Sequence, residues 1–255
     1  MKTRRLPLPL LVAGLLASAQ AAIAVESRDL RFDATGYRVV SVDLKRETLE
    51  THWRDADGNP FATIDALRHW GEAQGRRLAF ATNAGIYDSQ FRPLGLYVEN
   101  GRTLRPLNTV KGNPRAGNFS MQPNGVFAVG RDGRASVVAT GDWAARGIDA
   151  EIATQSGPML VVDGRINPAF DEDSDSRKWR SGVCARTPQD VVFAVSQSPV
   201  SFHAFARLFR DELGCRDALY LDGTLSRIYI DGDGYAGAPP MMVKPYAAML
   251  AVFDE

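Results

Sequence analysis

"ALYLDGTLSRIYIDG", Ala218 to Gly232, holds two strand signals parted by a turn. Ala218 to Leu221 is an unbroken apolar run of strand length, which reads as a strand buried on both faces. Asp222 therefore emerges at the end of that strand, Gly223 turns the chain, and Thr224 and Ser226 set two hydroxyls beside the carboxylate. Strand ends are where folds present polar groups for chemistry. An ordinary Asp-Gly hairpin accounts for Asp222 and Gly223 but leaves both hydroxyls unexplained.

Working outward, the same grammar recurs. "YRVVSVDL" from Tyr37, "LAFATNA" from Leu78, "GLYVENG" from Gly95, "NGVFAVG" from Asn124 and "ASVVAT" from Ala135 read as strands. So do "MLVVDGR" from Met159, "SGVCAR" from Ser181, "VVFAVS" from Val191 and "YAAMLAVF" from Tyr246. Two helices are expected. One lies in "NPFATIDALRHWGEAQG", with Asn59 as cap and Pro60 at the first helical position. The other is "SFHAFARLFRDELG", with Ser201 as cap, an apolar stripe of Phe202, Phe205, Phe209 and Leu213, and Gly214 past its end. Runs of strands with isolated helices predict an α+β fold, a single domain with a large mixed β-sheet core and a few helices.

Lys2, Arg4 and Arg5 precede an apolar run ending in small residues, the form of a secretory signal over residues 1–24 with Ala22 to Ala24 at the cleavage site. Residues 25–255 then form the mature domain, expected to be periplasmic or secreted. No later segment has the apolar length of a membrane span. The 30 basic and 30 acidic residues balance in the full chain, and removing the signal's cations leaves a weakly acidic remainder. No basic stripe rises above that background, which argues against nucleic acid as a partner. An oxidising compartment permits a disulfide between Cys184 and Cys215; two buried thiols fit the sequence equally.

Several catalytic devices are missing. There is no Gly-x-Ser-x-Gly elbow, no Ser-x-x-Lys pair, and no zinc-ligand spacing among His52, His69 and His203. "GDGYAG", Gly232 to Gly237, satisfies a dinucleotide fingerprint by letter, but Ala238, Pro239 and Pro240 follow and no helix can open there, so it reads as a loop. No cofactor is expected. The acidic "DEDSDS" from Asp171 has oxygen ligands for calcium, and a solvated loop explains it as well.

"ATNAG", Ala81 to Gly85, and "ATQSG", Ala153 to Gly157, repeat one another. Each delivers an amide, Asn83 or Gln155, then a small residue (Ala84 or Ser156) and a glycine, Gly85 or Gly157. Amides offer donor and acceptor together, which suits sugar hydroxyls, and glycine lets a ligand approach the backbone. "SRKWRSGV" adds Arg177, Lys178 and Arg180 before another strand, where a guanidinium has the geometry to hold a phosphate.

Taken in order, "NAGIYD", "PLGLYVENG", "NGVF", "ATQSGPMLVVDG", "RSGV", "FAVS", "SFHAFARLFRDELGCRDALYLDG" and "SRIY" resemble the phosphodiester glycosidase domain family, in its short exported bacterial branch. The similarity spans Tyr37 to Phe253. The resemblance implies a hydrolase that releases a sugar from a phosphodiester-linked glycoconjugate, with a sugar-phosphate substrate. On it, Asp222 is the expected base or nucleophile and Arg180 the phosphate clamp. Asn83, Gly85, Gln155, Ser156, Gly157, Gly223, Thr224 and Ser226 are expected around the sugar. Longer relatives end their motif Asp-Gly-Gly-Gly-Ser, whereas this chain reads "DGTLS", Asp222 to Ser226. That departure keeps open a different class of function, a non-catalytic periplasmic binder of phosphorylated glycans, or an envelope factor acting through protein contacts.

Overall fold

A computed structural model of the chain describes residues 25–111, 114–242 and 244–254; the signal assigned to residues 1–24 lies outside them. Its strands form three sheets, of seven, five and five strands. The first sheet runs, in spatial order, Glu26–Phe32, Thr35–Asp43, Asp190–Ser196, Ser181–Thr187, Ala218–Asp222, Met159–Val162 and Arg165–Ile166. The second is Gly234–Gly237, Arg227–Ile230, Arg77–Asn83, Met249–Asp254 and Leu49–His52. The third is Arg102–Arg105, Tyr97–Glu99, Ala150–Ser156, Gly125–Gly130 and Ala135–Ala139. The α+β class is as expected. The strands are shared among three sheets, and every described ladder is antiparallel, where a mixed sheet had been expected.

One core joins the sheets. Val40, Phe193 and Leu221 of the first, Phe80 and Leu250 of the second, and Phe127 and Ile152 of the third pack in it. Phe193 stands 5.0 Å from Phe80 and 6.1 Å from Phe127, centroid to centroid. The outer faces are covered as well. The helix from Phe202 lies over Tyr37, Val192, Cys184 and Tyr220 of the first sheet, and helix Ile64–Ala73 covers Leu78, Ala81 and Met249 of the second. Burial on both faces is why the central strands read as continuous apolar runs rather than alternating ones.

Both helices fall within the expected stretches, with one cap displaced. Ser201 caps the second helix through its Oγ, which accepts from Ala204 N at 3.1 Å. Its regular part is Phe202–Arg207, and Leu208–Glu212 continues as a π-helical turn before Gly214 at φ +68°. The first helix is capped by Thr63, not Asn59. Pro60 instead bridges to Arg54 in extended backbone, and Ala62 at φ +62° interrupts any helix begun there. The Gly232–Gly237 stretch is also corrected: Gly234–Gly237 is the second arm of a hairpin with Arg227–Ile230, not a loop. Cys184 and Cys215 form a disulfide with Cα atoms 6.1 Å apart, tying the helix exit to strand Ser181–Thr187.

Candidate active site

Three strands, one from each sheet, end at the same place. Arg77–Asn83 delivers Asn83, Ala150–Ser156 delivers Ser156, and Ala218–Asp222 delivers Asp222. The junction is knit by side chains. Asn83 Nδ2 donates to Ser181 Oγ at 3.0 Å, and Ser181 Oγ is 3.0 Å from Ser226 Oγ. Ser226 Oγ in turn donates to the Asp222 carbonyl at 2.7 Å. Ser156 Oγ donates to the Leu221 carbonyl at 3.0 Å, and Thr154 Oγ1 to the Ala84 carbonyl at 2.6 Å. Gly85, at φ +147°, lies against Thr154 and Ser156, where a Cβ would crowd both. The ladder between Ser181–Thr187 and Ala218–Asp222 slips by one residue between Ser181 and Gly182. Such irregularities re-aim side chains at strand ends, and this one sets Ser181 opposite Asp222 with Arg180 next to it.

Asp222 is the electrostatic anomaly of the site. Its carboxyl accepts one hydrogen bond, from Gly223 N at 2.6 Å. No cationic side chain among the described residues offsets its charge, so desolvation dominates and pushes its pKa from 3.8 to about 7. Three tyrosines stand within reach of that charge. Tyr87 is raised to about 12, first by burial and then by Asp222. Tyr220 and Tyr246 are raised further, chiefly by burial. Tyr87 donates to the Pro245 carbonyl at 2.7 Å and Tyr246 to the Leu225 carbonyl at 3.0 Å, so both hold the loops around the turn.

Arg180 is 1% exposed, a buried cation, whereas Arg177 and Lys178 are exposed. Its Nε donates to the Val200 carbonyl at 2.9 Å and its Nη2 to that of Ser176 at 3.0 Å. The guanidinium lies 3.6 Å above the Phe202 ring. Nη1 has no hydrogen-bond partner among the described residues. The Tyr220 hydroxyl is nonetheless near enough to favour the charged form of Arg180, which fits a contact that is close but poorly aligned. Burial is the larger effect and lowers the guanidinium's pKa.

The amide of Gln155 belongs elsewhere. Its Oε1 accepts from Leu96 N and Asn108 N, both at 2.9 Å, while Nε2 donates to the Asn108 carbonyl at 2.8 Å and Thr140 Oγ1 at 3.0 Å. All its capacity is used inside the protein. The expected sugar contact is therefore corrected: Gln155 is a buried brace for the loops after Pro93 and Leu107. Strand alternation explains it, since Thr154 and Ser156 face the junction and Gln155 must face away. Gly157 packs against Asn124, whose Cβ lies 2.5 Å from where a glycine side chain would begin. Gly223 lies under the Tyr220 hydroxyl, which a Cβ would overlap, and Thr224 is partly exposed on the turn.

Sequence reasoning missed Ser181, Thr154, Tyr220 and Asn118. Asn118 Nδ2 donates to the Tyr220 hydroxyl at 3.2 Å. The two-residue period gave one available signal, because Tyr220 stands two before Asp222 in the same strand. The acidic residues Asp171, Glu172, Asp173 and Asp175 are exposed, and no cluster of three or more metal-binding side chains occurs among the described residues. No helix among those residues is long and apolar enough to cross a membrane.

A family model described as phosphodiester glycosidase matches residues 76–253. The Escherichia coli K12 protein YigE, described as uncharacterized, is 35% identical over 231 residues, which covers 91% of this chain and 87% of that protein. The catalytic domain of zebrafish N-acetylglucosamine-1-phosphodiester alpha-N-acetylglucosaminidase, auto-inhibited by its pro-peptide, is similar with a TM-score of 0.60 at 13% identity, covering 93% of this chain and 85% of that one. A hypothetical protein from Synechocystis gives 0.56 at 14%, covering 91% and 62%. At these identities the two solved structures establish a shared fold.

Proposed function

The chain belongs to the phosphodiester glycosidase family, and from that premise we propose that it is an exported hydrolase that releases a sugar from a phosphodiester-linked glycoconjugate. The observation that carries this reading is Asp222, a carboxyl without a counter-charge at the meeting point of three strand ends. Its pKa of about 7 lets it serve as a carboxylate at neutral pH with high proton affinity, as a general base or a nucleophile requires.

The substrate explains why one carboxyl suffices. Ordinary glycosidases need a second carboxylic acid to protonate a poor leaving group. A phosphate leaves as a stable anion and needs little such help. Asp222 then works on the anomeric carbon, directly or by deprotonating water, while Arg180 supplies positive charge on the phosphate side. The Asn83–Ser181–Ser226 chain fixes the backbone that carries Asp222. Thr224 is the hydroxyl of the turn left to meet the sugar, and Gly85 and Ser156 line the same junction.

The test is sugar release from a panel of sugar-1-phosphate diesters by the secreted protein and by Asp222→Asn. Hydrolysis in heavy-oxygen water shows which bond breaks, with label in the sugar for C–O cleavage and in the phosphate for P–O cleavage. An Asp222→Asn protein with undiminished turnover overturns the assignment. Diester binding by calorimetry with no product after long incubation selects the binder instead, the reading that the altered "DGTLS" turn keeps in play.

A further inference from the structure

A buried cation with an idle donor calls for an acceptor, since burying a charge without partners is costly. Arg180 has such a donor, Nη1, and no carboxylate pairs with it among the described residues. The Tyr220 hydroxyl accepts from Asn118 Nδ2 at 3.2 Å, and its own hydrogen is given to no acceptor among the described residues. Arg180 Cζ lies 5.6 Å from the centroid of the Tyr220 ring, with the hydroxyl close enough to the guanidinium to interact with it. The unused Arg180 donor, the Tyr220 hydroxyl and the Asn118 amide are neighbours, and the group that would satisfy them is an anion that accepts hydrogen bonds.

We propose that Tyr220 is a substrate-binding residue: its hydroxyl, with Arg180 Nη1 and the Asn118 amide, seats the phosphodiester group of the substrate. This rests on the hydrolase reading for the identity of the ligand, and the seat itself stands on the donors. One cation matches one negative charge. A diester carries one at all working pH values, while a monoester approaches two and meets the Asp222 carboxylate as well. The seat therefore prefers diesters and sheds the monoester product by repulsion. Tyr220 and Gly223 are buried, with the Gly223 backbone against the hydroxyl, so Gly223 to Leu225 lift when the anion enters while Ser226 stays anchored.

The experiment uses dimethyl phosphate and methyl phosphate as probes, titrated into the secreted protein at pH 8 and followed by phosphorus NMR. Dimethyl phosphate is expected to bind more tightly than methyl phosphate. Tyr220→Phe keeps the ring that packs edge-on against Phe202 at 4.8 Å and removes only the hydroxyl. It should weaken dimethyl phosphate about 10- to 100-fold, as for loss of a hydrogen bond to a charged group. The unfolding midpoint of the variant is measured in parallel to confirm an intact fold. Unchanged affinity in a folded Tyr220→Phe protein, or no dimethyl phosphate binding by the wild type, overturns the proposal. The two readings fail separately. Diester turnover lost in Asp222→Asn but intact in Tyr220→Phe removes this seat and keeps the hydrolase. Probe binding that depends on Tyr220 in a protein that turns over no diester keeps the seat and removes the hydrolase.

Discussion

The raised pKa of Asp222 makes folding stability depend on pH with a definite sign. The unfolded carboxyl titrates near 3.8 and the folded one at about 7. Between those values the native protein holds a proton that the unfolded chain has lost, so stability falls as pH rises through that window. It is highest below the unfolded value and levels off above the folded one. At about 1.4 kcal/mol per pH unit, the full effect approaches ~4 kcal/mol. From pH 5 to pH 8 it amounts to about 2–3 kcal/mol, less whatever the Gly223–Ser226 turn recovers by relaxing. Asp222→Asn has the same shape, can keep the bond from Gly223 N, and has nothing to titrate. The assay is guanidinium unfolding of both proteins at pH 5, 6, 7 and 8. Comparing the pair cancels the other shifted carboxyls, such as Glu50 and Glu99, which both proteins share. The variant is expected to gain on the wild type steadily as pH rises, by about 2–3 kcal/mol in unfolding free energy over the range. A gap that stays the same at pH 5 and pH 8 refutes the argument, because it would mean that water reaches the carboxyl freely.

Three other outcomes are expected. Replacing both cysteines, Cys184→Ala with Cys215→Ala, removes a cross-link over a sequence separation of 31 residues, and guanidinium unfolding should show a loss of about 3–4 kcal/mol. Reductant should shift the wild-type curve and leave that variant's unmoved. Gln155→Leu strands the buried backbone groups of Leu96 and Asn108 and should lower stability by about 3–5 kcal/mol, while dimethyl phosphate affinity of the folded protein stays the same. Leu225→Gly frees the turn, and the same phosphorus titration should show several-fold tighter binding of dimethyl phosphate, from about 1 kcal/mol of lost side-chain burial.

The repeated "ATNAG" and "ATQSG" segments show how much of the site could be read. Both do end strands at the junction, so the place was legible. The side chain was not. In the first, Asn83 reaches into the junction; in the second the strand arrives one residue out of phase, so Thr154 and Ser156 face it and Gln155 turns away. Alternation along a strand is visible in a sequence, but its absolute phase depends on which sheet packs where. The continuous apolar runs located the central strands without assigning them to one sheet or three, because pairing partners lie far apart in the chain. The polar strands Glu26–Phe32, Leu49–His52 and Arg102–Arg105 gave little apolar signal; all three lie at sheet edges, the first and last with largely exposed side chains. The pKa of Asp222 was beyond reach for a similar reason: it is set by burial, and a sequence does not show how deeply a strand-end carboxyl is covered.

The departure at "DGTLS" bears on access rather than on chemistry. Directly after Asp222, Gly223 lies against the Tyr220 hydroxyl, and there a side chain would collide. The next two positions carry side chains without touching the residues assigned to reaction. Leu225 packs at the edge of the cluster of Tyr246 and Met249, and its carbonyl accepts from the Tyr246 hydroxyl. Ser226 ties the turn back to the Asp222 carbonyl from the other side. A triple-glycine turn would spend less burial and more backbone freedom in the same position. Lifting Gly223 to Leu225 breaks the bond from the Tyr246 hydroxyl to the Leu225 carbonyl and those from Ser226 to the Gly223 carbonyl, and exposes part of one leucine, together about 3–4 kcal/mol. A single hydrogen bond from Tyr220 or Arg180 to a diester oxygen returns about 1.5–3 kcal/mol. On the proposed seat, two such bonds match that cost, so the leucine would slow entry and reduce affinity without closing the site.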